Sequence, residues 1–346
     1  MILWLLWLGF LASATAVVLA GTSLARSGDV IAARTRLGHL WVGSVFLAAA
    51  TSLPELVTDV AAVRFRAVDL AAGDLFGSSM ANMLILAMLT LLPVGVGLFR
   101  RAALDHVLSG ALAMALSAIA AVVLLIRPQA ELFGVGVGSA VLVVVYLFGT
   151  QAIFRHSVTA RRAAAVEEMS SEPEPQVEAE EQKVEGRQFL RRAIYGFLMA
   201  SVVILVAAPL FAATAKRLAE LSGLGATFFG TLLVGLATSL PEFVTSLAAV
   251  RLKAFDLAVG NLFGSNAMNM AIFVALDLAS RRGPVLAVAN QAHAVSALTA
   301  IVLMSIGIAA IVQRAKKRFA ALEAGALTMV VVYLFGLWLV YSAAGS

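Results

Sequence analysis

Two pentapeptides, Thr51-Ser52-Leu53-Pro54-Glu55 and Thr238-Ser239-Leu240-Pro241-Glu242, each set a carboxylate inside an apolar run. An ionisable group at bilayer depth costs roughly 2.5–3.5 kcal/mol even on the lenient insertion scale, so each glutamate needs a purpose. In a helix Ser52 lies three and Thr51 four residues before Glu55, which puts two hydroxyls and a carboxylate on one face, and Thr238, Ser239 and Glu242 repeat the pattern. Pro54 and Pro241 lack an amide hydrogen, so the carbonyls of Ala50 and Ala237 lose their usual donors and the helix bends. A proline kink alone is common in membrane helices; its place beside Glu in both copies ties it to the carboxylate. A second element follows each pentapeptide: Gly73-Asp74-Leu75-Phe76-Gly77-Ser78 with Asn82, and Gly260-Asn261-Leu262-Phe263-Gly264-Ser265 with Asn269. Ser and Asn four apart share a helical face, and glycines four apart let two helices approach closely. A packing motif whose hydroxyls satisfy backbone is the plain alternative. All the converging atoms are hard oxygens, a set that suits calcium, sodium and their like and does not suit copper, iron or zinc. Two opposed glutamates can neutralise one divalent ion or be offset by monovalent ions or protons, so competition for one site is enough for exchange.

These elements belong to an internal repeat. Residues 51–83 align without a gap to 238–270 at an offset of 187, with 22 identities in 33 positions. The identities include Thr51/Thr238, Pro54/Pro241, Glu55/Glu242, Asp69/Asp256, Gly77/Gly264 and Asn82/Asn269, a polar pattern that low-complexity apolar sequence does not reproduce by chance.

The chain that carries the repeat has 346 residues, 61% hydrophobic and 13% charged, with a mean hydropathy of +0.96. Soluble domains run about half apolar and a quarter charged, so a membrane protein is the class that fits. Apolar runs predict ten spans, at 3–24, 38–63, 69–92, 105–126, 132–154, 193–215, 224–250, 256–280, 286–312 and 322–344. The fold class expected is an all-α polytopic membrane protein of two inverted five-helix repeats, because an odd number of spans per repeat inverts the second copy. Residues 1–155 form the first half and 193–346 the second, joined by an acidic linker at 156–192 that holds Glu172, Glu174 and Glu178 with Pro173 and Pro175. The opening run lacks a basic stretch before Arg26 and reads as a first span, not as a signal peptide. Alternate loops hold 18 and 7 of the 25 Lys and Arg; the rich set, with Arg100, Arg101 and the linker, is expected to be cytoplasmic, leaving both termini outside. The net charge of +5 sits in short clusters between apolar runs, as membrane topology requires, so no nucleic-acid partner is expected; the partners are the lipid bilayer and inorganic cations. With no Cys, disulfides, thiolate ligands and thiol nucleophiles are excluded.

At these motifs the sequence resembles the sodium/calcium exchangers of the calcium/cation antiporter superfamily, prokaryotic type. Their two alpha-repeats carry a G-T-S-L-P-E and a G-N-x-x-G-S-N segment. The resemblance implies ten helices, alpha-repeats over about 42–92 and 229–280, and a central ion site. Its metal ligands by position are Thr51, Ser52, Glu55, Ser78 and Asn82 with Thr238, Ser239, Glu242, Ser265 and Asn269, completed by the carbonyls of Ala48 and Gly235. It further implies a secondary antiporter in the inner membrane that exchanges Ca2+ for Na+ by alternating access, or a proton-coupled variant, with no cofactor beyond the transported ions. The sequence departs from the pattern at Ala50 and Ala237, where glycine is usual, at Asp74 and Ser79, where Asn is usual, and at Asn269, where several members have Asp. Asp74 either restores a negative charge near the pocket or hydrogen-bonds backbone at a helix crossing.

The remaining polar residues say less. Asp59, aligned with Ser246, lies one turn beyond Glu55; Asp277 is expected near the membrane surface; Asp69 and Asp256 read as helix N-caps. His39, His106, His156 and His293 form no repeated pattern, so none is assigned a proton relay. A passive channel would use similar ligands but favours a ring of identical subunits over an inverted duplication. An intramembrane enzyme finds neither His, Cys nor a clustered Asp pair in the repeats. The sequence does not set an oligomeric state.

Overall fold

In hydrocarbon every backbone amide must be satisfied within its own segment, so the long apolar runs of this chain become helices. The computed structural model describes residues 2–35, 37–169, 179–221, 238–313 and 319–344. In chain order the helices are α1 (Ile2–Arg34), α2 (Gly38–Thr51), α3 (Leu53–Arg64), α4 (Val68–Leu91), α5 (Leu98–Arg101), α6 (His106–Ile126) and α7 (Val137–Met169). They continue with α8 (Ala179–Leu221), α9 (Leu240–Arg251), α10 (Phe255–Ala279), α11 (Val285–Val288), α12 (His293–Gln313) and α13 (Phe319–Ala344). Eight of these are long and apolar enough to cross a membrane, and α2 with α3, bent by 41° between them, makes a ninth among the described residues. Of the span expected at 224–250, residues 224–237 lie outside the described residues and Leu240–Arg251 is helical.

Two boundaries move for local reasons. The span expected from 132 starts at Val137, because Glu131–Leu132 pairs with Val135–Gly136 in a hairpin. Its two turn residues, Phe133 at φ 53° and Gly134 at φ 79°, take the left-handed conformation of a tight hairpin turn. The span expected from 286 starts at His293, after α11. Asp277 ties the hairpin to α11: one carboxylate oxygen accepts from the Val285 amide at 2.7 Å and the other from the Gly136 amide at 2.8 Å. Asp277 is therefore a buried clasp at the C-terminal end of α10. The stretch expected as a linker is largely helical, with α7 running to Met169 and α8 beginning at Ala179; Glu172, Glu174, Glu178, Pro173 and Pro175 lie outside the described residues.

The long helices α1 and α8 pack along one another, α1 also touching α9 and α8 touching α3. At the centre stand α4 and α10, the most buried spans, which contact each other as well as α3 and α9, with α4 also packed on α12 and α10 on α6. Small residues make the closest crossing possible. A Cβ on Gly43 would lie 2.8 Å from the Leu257 carbonyl oxygen, and one on Gly264 would lie 2.2 Å from the Ser44 carbonyl oxygen. There α2 loosens into a π-helical turn, Val42–Leu47, against α10. This is the close approach expected of the paired glycines Gly260 and Gly264.

Candidate cation-binding centre

Both Pro-Glu segments sit at breaks. Ser52 (φ −87°, ψ 2°) and Ser239 (φ −83°, ψ 6°) leave the helical conformation and stand just ahead of α3 and α9. Pro54 and Pro241 occupy the first turn, where a missing amide hydrogen costs nothing, and Glu55 and Glu242 follow directly. The break changes how the hydroxyls reach the carboxylates: Thr51 ends α2 while Glu55 belongs to α3, so the two no longer share one continuous helical face. Each glutamate lies in the first turn of a half-helix, where the amide dipoles favour negative charge.

The repeats meet through these residues. Thr51 Oγ1 lies 3.3 Å from Ser265 Oγ, 3.3 Å from Asn261 Oδ1 and 3.3 Å from the Ala48 carbonyl oxygen. Ser78 and Ser239 hydroxyls are 3.3 Å apart, and Thr238 donates to Asp74 Oδ1 at 3.3 Å. Asn82 donates to Asn266 Oδ1 at 2.9 Å, and Asn269 to the Leu75 carbonyl oxygen at 3.5 Å. Glu55 and Glu242 are charged neighbours, and Thr51 lies beside Glu242. None of the ten residues singled out from the sequence is more than 6% exposed. The Ala48 carbonyl also accepts from the Ser52 amide at 3.0 Å; Gly235 lies outside the described residues. Asp74 faces Thr238 across the repeats, on the pocket side of the two alternatives the sequence left open. Asn261 and Asn266, not singled out from the sequence, join the centre through α10; their signal was membership of the second motif.

The centre has polar atoms to spare. Neither oxygen of Glu55 or Glu242 has a hydrogen-bond partner, and Ser52 Oγ, Asn82 Oδ1 and Asn269 Oδ1 are buried without one. Unpaired buried carboxylates are costly, which is what a site that takes cations from water requires. Among the described residues no three His, Cys, Asp or Glu side chains converge on one point, so any ion held here draws on hydroxyl, amide and carbonyl oxygens beside the two carboxylates.

A second symmetric pattern escaped the sequence. Asp69 and Asp256 do not cap their own helices, whose N-caps are Ala67 and Ala254 without side-chain bonds. Asp256 Oδ1 accepts from the Ala103 amide at 2.7 Å and from His106 Nε2 at 3.0 Å, at the start of α6. Asp69 Oδ1 accepts from the Asn290 amide at 2.6 Å and lies 3.3 Å from His293 Nε2, at the start of α12. Each aspartate thus fixes the turn just ahead of a helix of the other half, a crossed cap on the turn and not on the helix's own first-turn amides. His106 and His293 are 187 residues apart, the repeat offset, so two of the histidines do form a repeated pattern.

Helices in two related halves, broken around a buried centre of hard-oxygen donors, define the class of the secondary membrane transporters. The family model for "Sodium/calcium exchanger protein" matches residues 5–155 and 192–342, again two blocks 187 apart, and the chain belongs to that family. It is accordingly a secondary transporter of inorganic cations and not an enzyme. The sodium/calcium exchanger MaX1 of Methanosarcina acetivorans is 34% identical over 84 residues, 24% of this chain and 24% of that protein's length. The inner membrane protein YrbG of Escherichia coli is 25% identical over 264 residues, 75% of each chain. The solved structure of the sodium-calcium exchanger NCX_Mj, soaked with 10 mM Na+ and zero Ca2+, superposes with a TM-score of 0.67 at 18% identity, covering 97% of this chain and 99% of that one. This last likeness is one of fold.

Proposed function

We propose that this protein exchanges Ca2+ for Na+ across the cytoplasmic membrane by alternating access at the Glu55–Glu242 centre. The observation that carries the reading is the pair of fully buried glutamates, one from each half, whose four oxygens make no hydrogen bond. Calcium takes six to eight oxygen ligands in flexible geometry. In this reading the ligands are Thr51, Ser52, Glu55, Ser78 and Asn82 with Thr238, Ser239, Glu242, Ser265 and Asn269. Two carboxylates neutralise one Ca2+ or offset monovalent ions, so the two loads compete and neither crosses without the other. Inverted halves supply the conformational step: exchanging their conformations opens the centre to the opposite side. The distribution of Lys and Arg supports termini outside and the acidic stretch in the cytoplasm.

The test is calcium uptake by liposomes holding the purified protein, loaded with sodium or with choline, with and without a pH gradient. Uptake that requires internal sodium is the expected result. Uptake that follows the pH gradient regardless of sodium would replace sodium by protons as the coupled ion, and no calcium flux under either gradient would end the calcium reading.

A further inference from the structure

The two halves differ at one polar pair. In the second half, Asn261 Nδ2 donates to Ser246 Oγ at 3.1 Å, a neutral and complementary contact with both residues buried. In the first half the equivalent positions, 187 residues earlier, are Asp74 and Asp59, and there two carboxyl groups meet. Asp59 is 2% exposed and its Oδ2 has no hydrogen-bond partner. Asp74 Oδ1 takes the Thr238 hydroxyl, leaving the carboxyl-to-carboxyl contact without any base to offset it: neither residue ion-pairs with Lys, Arg or His among the described residues. Glu55, one turn before Asp59 on α3, is fully buried, has both oxygens unpartnered, and counts Asp74 and Asp59 among its charged neighbours.

Position gives the pair its meaning. Because α3 runs out to Arg64 and α4 returns from Val68, Asp59 and Asp74 both lie between the Glu55–Glu242 centre and the face that carries the 65–67 turn. The Ser246–Asn261 pair lies by symmetry toward the opposite face. On the first face a cavity of about 500 Å3 is lined by Arg64, Leu278, Ala279, Ser280 and Arg281. An arginine rim disfavours cations, so whatever attracts them on that side must lie deeper.

We propose that Asp59 and Asp74 form an additional divalent-cation subsite on one side of the centre, holding an ion on its way to or from Glu55 and Glu242, with no counterpart on the other side. Two adjoining carboxylates in a low-dielectric setting repel unless they share a proton or a cation lies between them, and the buried, unpartnered Oδ2 of Asp59 is a free oxygen for the cation. A divalent ion answers that charge, with the Thr238 hydroxyl beside Asp74 as a further oxygen ligand. This rests on the exchange reading and adds to it a built-in difference between the two faces.

The test exchanges the pairs between halves. D59S/D74N copies a side-chain pair the fold already accommodates in the second half, and S246D/N261D places the acidic pair there. Half-saturating Ca2+ is measured on each face of oriented proteoliposomes, and the ratio between faces is the readout, since a general loss of stability moves both faces together. The expected result is a ratio shifted about tenfold or more in D59S/D74N and in the opposite sense in S246D/N261D, the size expected for losing or gaining a carboxylate pair. A ratio unmoved in both variants, with calcium counterflow intact in the parent protein, overturns the subsite alone. Variants that change only the dependence on the pH gradient assign the pair to protons and overturn it too. Absence of calcium counterflow from the parent protein brings down both readings.

Discussion

Glu55 and Glu242 are held where a neutral side chain would sit more easily, with no hydrogen bond to either carboxylate. Glu55→Gln and Glu242→Gln keep the shape and remove the charge, so each is expected to abolish exchange while the protein still folds; robust transport by either would remove both residues from the centre. The same substitutions test ion binding directly. An ion that binds only the folded state raises its stability by RT ln(1 + [L]/Kd), about 2.7 kcal/mol at a hundredfold excess over Kd. Thermal unfolding in detergent should therefore rise with added Ca2+ and fall on chelation in the parent protein, and both responses should vanish in the glutamine variants. These residues were legible in the sequence because a polar pattern repeated inside an apolar run has no cheap structural explanation. Asn266 and the Asp–His pairs were not, for a physical reason. They act through contacts between residues 150 or more apart, and around the histidines the repeat has decayed to Ala102/Ala289, His106/His293 and Ser109/Ser296 over residues 98–112.

Hydropathy locates spans, yet it is blind to how one span crosses another. Nothing in the sequence of Val42–Leu47 announces a π-helical turn; it forms where Gly43 and Ser44 press against Leu257, Gly260 and Gly264. Gly264→Val should drive the two backbones apart at cost of about 1–3 kcal/mol or more, read as a lower midpoint of thermal unfolding with a parallel loss of exchange. The crossed caps give a second expectation at this scale. Asp256→Ala removes the acceptor of the Ala103 amide and of His106 together, and hydrogen bonds to a charged group are worth about 1.5–3 kcal/mol. Asp69→Ala should cost less, because that carboxylate is the more exposed of the two. Equal and negligible effects of both substitutions on thermal unfolding would show that the caps hold nothing together. The hairpin at 131–136 and the short α11 were missed for a related reason: both are organised by Asp277, and one of its two partners, Gly136, lies 141 residues away.

Over the whole molecule, composition was enough for the class, and the repeat was enough for the pairing of halves. Orientation rests on charge alone. With no Cys in the chain, single cysteines introduced one at a time report sidedness cleanly. A cysteine at Arg100 should react with a membrane-impermeant thiol reagent only after the cytoplasmic face is opened, and one at Arg66 should react in intact cells. The reverse pattern would turn the molecule over and exchange which face the Asp59–Asp74 pair serves.

The crossed caps also bear on how such a chain is assembled and on where it came from. Asp69 completes a helix start that is made only when the second half has entered the membrane, and Asp256 completes one that has been waiting since the first half was inserted. Neither half is finished alone. Two copies of the first half placed in opposite orientations, however, carry both partners, Asp69 of each facing the Ala103–His106 start of the other. The contacts that join one polypeptide to itself therefore have the arrangement that two copies of one half would make as an antiparallel pair.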